Sequence, residues 1–314
     1  MSVFTPVSDG DARALLEHYS LGGLEKLEGI AQGVENTNFF LTTTTGRYVL
    51  TLFEHIPPED LPFYVGLMDH LAKSRIACPA PIARDDGAML GSLNGKPAVI
   101  VTRLPGTPLE KPDADDCAAV GAVLAAIHVA AVEYDASLDN WRGAQWRESF
   151  AARLTPKLSA AENALIASEN AFQAAIDDSV MPRGIIHGDL FRDNVLWDDE
   201  SGAGVIDFYF ACDDALLFDV AIAVNDWCVK PDATLDGERV KAFIEGYETQ
   251  RPLEAMEEGL WNAMLRRAAL RTWLGRLGYN HFPLASEITI PKDHGFSRHL
   301  LENHIAQASN PIPR

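Results

Sequence analysis

Three short runs of strand-forming residues, Ile185-Ile186, Val195-Leu196-Trp197 and Gly204-Val205-Ile206, interrupt a half of the chain that otherwise reads as helix. Asp198-Asp199-Glu200-Ser201-Gly202 supplies turn residues between the last two, so an antiparallel hairpin is expected inside a helical body. Helix formers with apolar periodicity surround it, over 115–132, 144–154, 159–176, 215–229, 236–249, 253–277 and 295–307.

The front of the chain has a different character. A short helix is expected over 8–20, capped by Ser8 or Asp9, and the β-rich runs 39–43 and 47–53 bracket Thr44-Thr45-Gly46, a hairpin signal. After Pro57-Pro58, apolar residues from Leu61 to Ala72 recur at helical spacing until Cys78-Pro79-Ala80-Pro81 ends the element. Residues 97–102 read as a buried strand, and Leu104-Pro105-Gly106-Thr107-Pro108 is the strongest linker signal in the chain. The expected fold class is therefore α+β in two lobes: a small β-rich lobe with one main helix, 1–103, and a larger helical lobe, 104–314, carrying the embedded hairpin.

Composition excludes several classes of partner. Lys and Arg total 26 against 45 Asp and Glu, a formal charge of −19, which repels nucleic acid and anionic membrane surfaces. An anionic substrate must then be held by metal ions, basic side chains or backbone N–H groups. The four cysteines form no C-x-x-C pair and are expected to be reduced structural thiols. Ala118 to Val132 is apolar but short for a bilayer span and contains His128, so a buried helix is expected. The first nine residues show neither a basic nor an apolar segment, which points to a cytoplasmic protein.

The chemistry concentrates around the hairpin. In His187-Gly188-Asp189-Leu190-Phe191-Arg192-Asp193-Asn194 a carboxylate precedes a side-chain amide by five residues, and Asp207-Phe208 follows on the far side of the hairpin. Phosphoryl transfer needs an acceptor hydroxyl aligned by a carboxylate and metal ions held against the phosphates. Asp189 suits the first task, with Asn194 and Asp207 as Mg²⁺ ligands, because a tight hairpin returns both oxygen ligands to the same end. His187 reads either as a general base or as a structural hydrogen-bonder, and Arg192 either as a phosphate or substrate contact or as a surface ion pair.

These residues resemble the protein-kinase-like fold of aminoglycoside and choline kinases, whose catalytic loop is similar to His187-Gly-Asp-Leu-x-x-x-Asn194 and whose metal motif is similar to Asp207-Phe208. Within that group the chain looks most like the homoserine kinases of bacterial threonine biosynthesis. The segments that carry this likeness are Gly33 to Phe40, Tyr48 to Glu54, Leu61-Pro62-Phe63-Tyr64 and Leu270 to Leu277. The resemblance implies an ATP- and Mg²⁺-dependent kinase whose acceptor is homoserine. It also implies that Gly33, Val34, Glu35, Asn36 and Asn38 lie in a turn covering the triphosphate, that Thr102 and Leu104 meet the adenine, and that Asp219 braces the catalytic loop. Where such kinases carry a strand lysine, this chain has Thr51, as the homoserine kinases do; Lys73, Lys96, Arg47 and Arg103 are the candidate replacements. His128 is expected as a satisfied core residue. Tyr209, Trp227 and Arg271 are candidate substrate contacts, with Arg271 for the substrate carboxylate. Other hydroxyl acceptors (choline, methylthioribose, an aminoglycoside) remain open at this stage, as does a pseudokinase that only binds nucleotide.

Overall fold

The structure is a computed structural model that describes residues 4–30, 36–282, 293–307 and 311–313. The chain divides into two compact units at Gly106/Thr107. That is three residues beyond the boundary expected from sequence, and hydrogen bonding explains the shift. Thr107 exchanges two backbone hydrogen bonds with Trp197, at 3.0 and 2.9 Å, and so belongs to the second unit.

In the first unit, helix α1 (Asp9–Leu16) starts at Ser8, which forms a capping box with Asp11. Strands β1 (Leu24–Gly29), β2 (Asn36–Thr43), β3 (Gly46–Phe53), β4 (Gly91–Leu93) and β5 (Lys96–Thr102) form an antiparallel sheet in the order β1-β2-β3-β5-β4. Helix α2 (Leu61–Lys73) is the long helix of this unit. Alternating residues of β2 and β3, among them Phe39, Leu41, Leu50 and Leu52, are buried with Leu15, Leu16 and Tyr19 of the α1 region. β1 and β4 escaped the sequence reading because neither has enough consecutive apolar residues: β1 is Leu-Glu-Lys-Leu-Glu-Gly and β4 has three residues.

The second unit is mainly helical: α3 (Ala114–Ala131), α4 (Ala144–Leu154), α5 (Ala160–Ala174), α6 (Leu216–Trp227), α7 (Gly237–Glu248), α8 (Ala255–His281) and α9 (His294–Ala306). Into it are set two antiparallel pairs, β6 (Arg183–Ile186) with β9 (Cys212–Ala215), and the hairpin of β7 (Val195–Asp198) with β8 (Gly202–Val205). The two-lobed α+β expectation holds. α3 is apolar and long enough on composition alone to pass for a membrane span. Here it contributes buried Val120, Leu124 and Ile127 to this unit, as a core helix does. All four cysteines are buried thiols.

α3 and α7 approach closely because glycines face backbone at the crossing. A Cβ on Gly246 would collide with the Ala118 carbonyl oxygen, and one on Gly121 with that of Phe243. α9 is held to the rest of its unit through buried His304, whose Nε2 donates to Asn225 Oδ1 at 2.8 Å. Burial, reinforced by the nearby Arg266 charge, pushes the His304 pKa down to about 4.

Three substitutions test these features. Gly246→Ala gains about 1 kcal/mol of helix propensity but forces an overlap that costs about 1–3 kcal/mol, so urea denaturation should show a net loss. Gly259→Ala in α8, where a Cβ meets nothing, should gain up to about 1 kcal/mol. For His304, the unfolded state binds a proton that the folded state refuses, so stability is intact above pH 6.5 and declines toward pH 4. The loss from this residue should approach 3 kcal/mol, and a urea series from pH 7.5 to 4.5 should flatten in His304→Gln.

Candidate active site

β6 delivers the chain to His187, and Gly188 then turns it with a φ of 75°. The turn has room for nothing larger, since a Cβ here would lie 2.6 Å from the Phe210 carbonyl oxygen. His187 is completely buried. Its Nδ1 accepts from the Asp189 N–H at 3.2 Å and its Nε2 donates to the Ile206 carbonyl at 3.0 Å. Burial lowers its pKa despite the neighbouring Asp219 and Asp189 carboxylates. Both ring nitrogens are thus spent on backbone, and the imidazole is a neutral strut between the loop and the end of β8 rather than a base.

Asp219, in the first turn of α6, is wholly buried. It accepts from the His187 N–H at 2.6 Å and the Gly188 N–H at 2.9 Å. A third bond comes from His128 Nε2 at 3.0 Å. Burial alone would raise its pKa, but the His128 hydrogen bond and charge, with those of the loop, hold it below the ordinary carboxylate value. The chain continues inward: His128 Nδ1 meets the Tyr247 hydroxyl at 2.8 Å, which accepts from Arg251 at 3.1 Å, and Arg251 grips Glu257 with two bonds of 3.0 Å. His128 is a satisfied core residue, as expected, yet its partners are the brace of the loop. Tyr247 and Arg251 were invisible in sequence because 119 residues separate Tyr247 from the histidine it orients.

Asp189 and Asn194 are brought together. Asn194 Nδ2 donates to the Asp189 carbonyl at 2.8 Å and to its carboxylate Oδ2 at 3.2 Å. This fixes the amide so that its acceptor, Oδ1, is the end directed away from Asp189. The hairpin mouth closes with Ile206 N–H to Asn194 O at 2.9 Å. Asp207 follows immediately, exposed and in the left-handed region at φ 65°, ψ 61°. Asn194 and Asp207 therefore flank one end of the hairpin, and an amide oxygen with a carboxylate is a hard donor set of the kind Mg²⁺ takes when phosphate oxygens and water complete its shell. Among the described residues there is no cluster of three or more His, Cys, Asp or Glu that could cage a metal.

A cavity of about 450 Å³ in the second unit is lined by side chains of both signs, including Arg142, Arg271, Asp139 and Asp213. Arg271, on α8, is 6% exposed and its guanidinium lies 3.5 Å from Asp189 Oδ1. Burial depresses its pKa, Asp189 opposes that, and Arg142 adds to it. Arg192 is placed differently. Its guanidinium contacts both oxygens of Asp226, at 3.1 and 3.4 Å, and the Glu110 carbonyl at 3.0 Å, so its donors serve the protein. Trp227 is completely buried and its indole N–H donates to Leu190 O at 3.1 Å, so it supports the loop from behind and presents no face to a substrate. Tyr209 is half-buried in the turn after Asp207.

In the first unit, Gly33, Val34 and Glu35 lie outside the described residues. Asn38 and Thr51 sit opposite each other on β2 and β3, and the Thr51 hydroxyl donates to Asn38 Oδ1 at 2.7 Å. A neutral pair thus stands at the strand position where related kinases carry a lysine, as the resemblance implied. Of the candidate replacements, Lys96 pairs with buried Glu54 at 3.0 Å, Lys73 with Asp69 at 2.6 Å, and Arg103 stacks on Phe40 at 3.9 Å. Asn36 Oδ1, at the start of β2, is buried with no hydrogen-bond partner among the described residues. Thr102 ends β5, its hydroxyl accepting from Ala80 N–H at 2.9 Å, and Leu104 follows in the connecting segment.

Residues 26–253 match the model of the phosphotransferase enzyme family, APH. The chain belongs to this family. It is 49% identical over 306 residues to a homoserine kinase of Methylobacillus flagellatus, covering 98% of this chain and 96% of that one. An amicoumacin kinase structure superposes with a TM-score of 0.74 at 14% identity, covering 98% and 95% of the two chains. A microcompartment-associated aminopropanol kinase gives 0.74 at 18%, covering 98% and 99%. The sequence expectation of an ATP-dependent kinase of the aminoglycoside and choline kinase-like group is borne out.

The phosphotransferase's dependence on Asp219 is open to test. In Asp219→Asn one carboxylate oxygen becomes an N–H₂ facing a backbone N–H, leaving buried donors without acceptors at a cost of about 1–3 kcal/mol. Urea denaturation should show that loss, and turnover should fall although the residue touches no reactant.

Proposed function

We propose that this chain transfers the γ-phosphoryl group of ATP to the side-chain hydroxyl of L-homoserine, giving O-phospho-L-homoserine for threonine biosynthesis. The observation that carries the reaction class is the Asp189–Asn194 pair held at the hairpin mouth beside Asp207. The acceptor rests on similarity to homoserine kinases along 98% of the chain. The cavity lined by Arg271, the ion-pair partner of Asp189, and by carboxylates suits a zwitterionic amino acid better than a purely cationic acceptor such as choline.

Asp189 accepts a hydrogen bond from the homoserine hydroxyl, aligns its oxygen for in-line attack and takes the proton as the new P–O bond forms. Asn194 Oδ1 and the Asp207 carboxylate would hold Mg²⁺, which when bound would supply neutralisation of phosphate charge. His187 and Asp219 fix the loop without touching reactants. The turn Gly33, Val34, Glu35, Asn36 and Asn38 covers the phosphates with backbone N–H groups, and Thr102 and Leu104 meet the adenine. With Thr51 neutral, metal and backbone carry most of the attraction for the triphosphate. Arg271 faces the homoserine carboxylate. An ATP-consuming biosynthetic step and buried thiols accord with a cytoplasmic enzyme.

ADP formation measured with homoserine, choline, methylthioribose and an aminoglycoside should rise with homoserine; turnover of only the other three would overturn the acceptor assignment. Asp189→Ala should lower kcat by about 10³-fold while ATP binding, followed with a fluorescent nucleotide, stays within a few-fold. Retained turnover in that variant would remove Asp189 from its role.

A further inference from the structure

We infer that Arg271 guards Asp189: while the acceptor site is empty its guanidinium faces the carboxylate oxygen that the hydroxyl must use, and the acceptor's own carboxylate draws it away. Arg271 is thus a positioning residue that makes transfer conditional on a carboxylate-bearing acceptor and holds back transfer to water. The inference rests on the homoserine reading and deepens it, because it says how that acceptor is told from a simple amino alcohol.

The two oxygens of Asp189 have different partners. Oδ2 accepts from Asn194 Nδ2 at 3.2 Å, and Oδ1 faces the Arg271 guanidinium at 3.5 Å. A hydroxyl that donates to Asp189 has Oδ1 as its opening, since Oδ2 is tied to the amide that Asp189 orients. A guanidinium at that place competes for the oxygen and offsets its charge. The side chains of Arg271 and Asp189 are only 7% and 16% exposed, so salt and water screen the pair weakly.

The hold is also exchangeable. Charge-assisted hydrogen bonds of this kind run at about 2.7–2.9 Å, and among the described residues the Arg271 guanidinium donates no hydrogen bond, so its contact with Asp189 is a loose one. Other arginines on the same cavity wall are committed: Arg183 is bonded to Asp213 and Asp214, and Arg267 to Gln173 and Asp178. Arg271 lines the 450 Å³ cavity whereas Asp189 does not, and it is the lining residue paired with Asp189. An amino-acid carboxylate in the cavity offers two oxygens to the guanidinium fork, a better partner than one oxygen at 3.5 Å. The same small molecule then brings the hydroxyl that takes over Oδ1.

Without such an acceptor, water is the competing nucleophile. Its oxygen would form the new bond to the γ-phosphorus as the bond to ADP breaks, and its proton would pass to Asp189, giving ADP and inorganic phosphate. A guanidinium on Oδ1 holds this reaction back.

The test measures ADP release by the full chain with ATP and magnesium but no acceptor. Arg271→Gln should hydrolyse ATP about 10-fold faster than the wild type, equivalent to about 1.4 kcal/mol of barrier, and the gain should vanish when Asp189→Ala is added. Arg271→Lys, which keeps the charge without the planar fork, should fall between the two. A merely structural role for Arg271 would lower every rate instead. Unchanged or slower hydrolysis in Arg271→Gln, or a gain that survives Asp189→Ala, would overturn the guard. L-2-aminobutyrate, which has the carboxylate and ammonium but no hydroxyl, reads the same device in the wild type and serves if the variants do not fold. It should raise hydrolysis about 10-fold, whereas 3-aminopropan-1-ol, which is homoserine without its carboxylate, should not; no rise with aminobutyrate would overturn the release. Faster hydrolysis in Arg271→Gln beside a wild type that does not phosphorylate homoserine would sink the homoserine reading and leave the guard standing. Homoserine turnover by the wild type beside unaccelerated hydrolysis in the variant would sink the guard alone.

Discussion

The geometry of the His187–Asn194 loop depends on one buried carboxylate. Asp219 takes three donors, two from the backbone at the His187-Gly188 turn and one from His128. A carboxylate in such a position is costly to bury unless its lone pairs are filled, and here they are filled by the very groups whose placement matters. The stability of the core and the position of Asp189 are therefore coupled. The relay through Tyr247 and Arg251 to Glu257 extends that coupling to α7 and to the start of α8.

This arrangement separates support from chemistry. His187, Asp219, Trp227 and Arg192 surround the loop, and their polar groups are directed at backbone or at Asp226. Asp189 and Asn194 are bonded to each other, and Asp207 beside them is exposed. Histidine next to a catalytic carboxylate invites a mechanistic role, but an imidazole whose two nitrogens already hold a carbonyl and an N–H has no free site for a substrate proton.

Most of this was legible in the sequence where the signal was local. The helices of the second unit were readable from periodicity, and the hairpin from its turn residues, because both patterns are written within a dozen neighbours. The catalytic loop was readable because its spacing is set by one hairpin. What could not be read was long-range or chemically bland: β1, with alternating charges, and β4, with three residues. Tyr247 announces nothing at its own position. Trp227, read as a candidate substrate contact, lies buried behind the loop, where its indole N–H bonds the Leu190 carbonyl.

The hairpin also has two ends of different standing. Its mouth is tied by Asn194 and Ile206 and by the His187 strut, whereas its tip, 199–202, is exposed and held locally by the Asp198 carboxylate, which accepts from Ser201 and Glu200. Strand pairing transmits register from the mouth outward but demands nothing of the tip. The tip is consequently a place where evolution or an engineer can lengthen, label or graft while the reacting end stays in register.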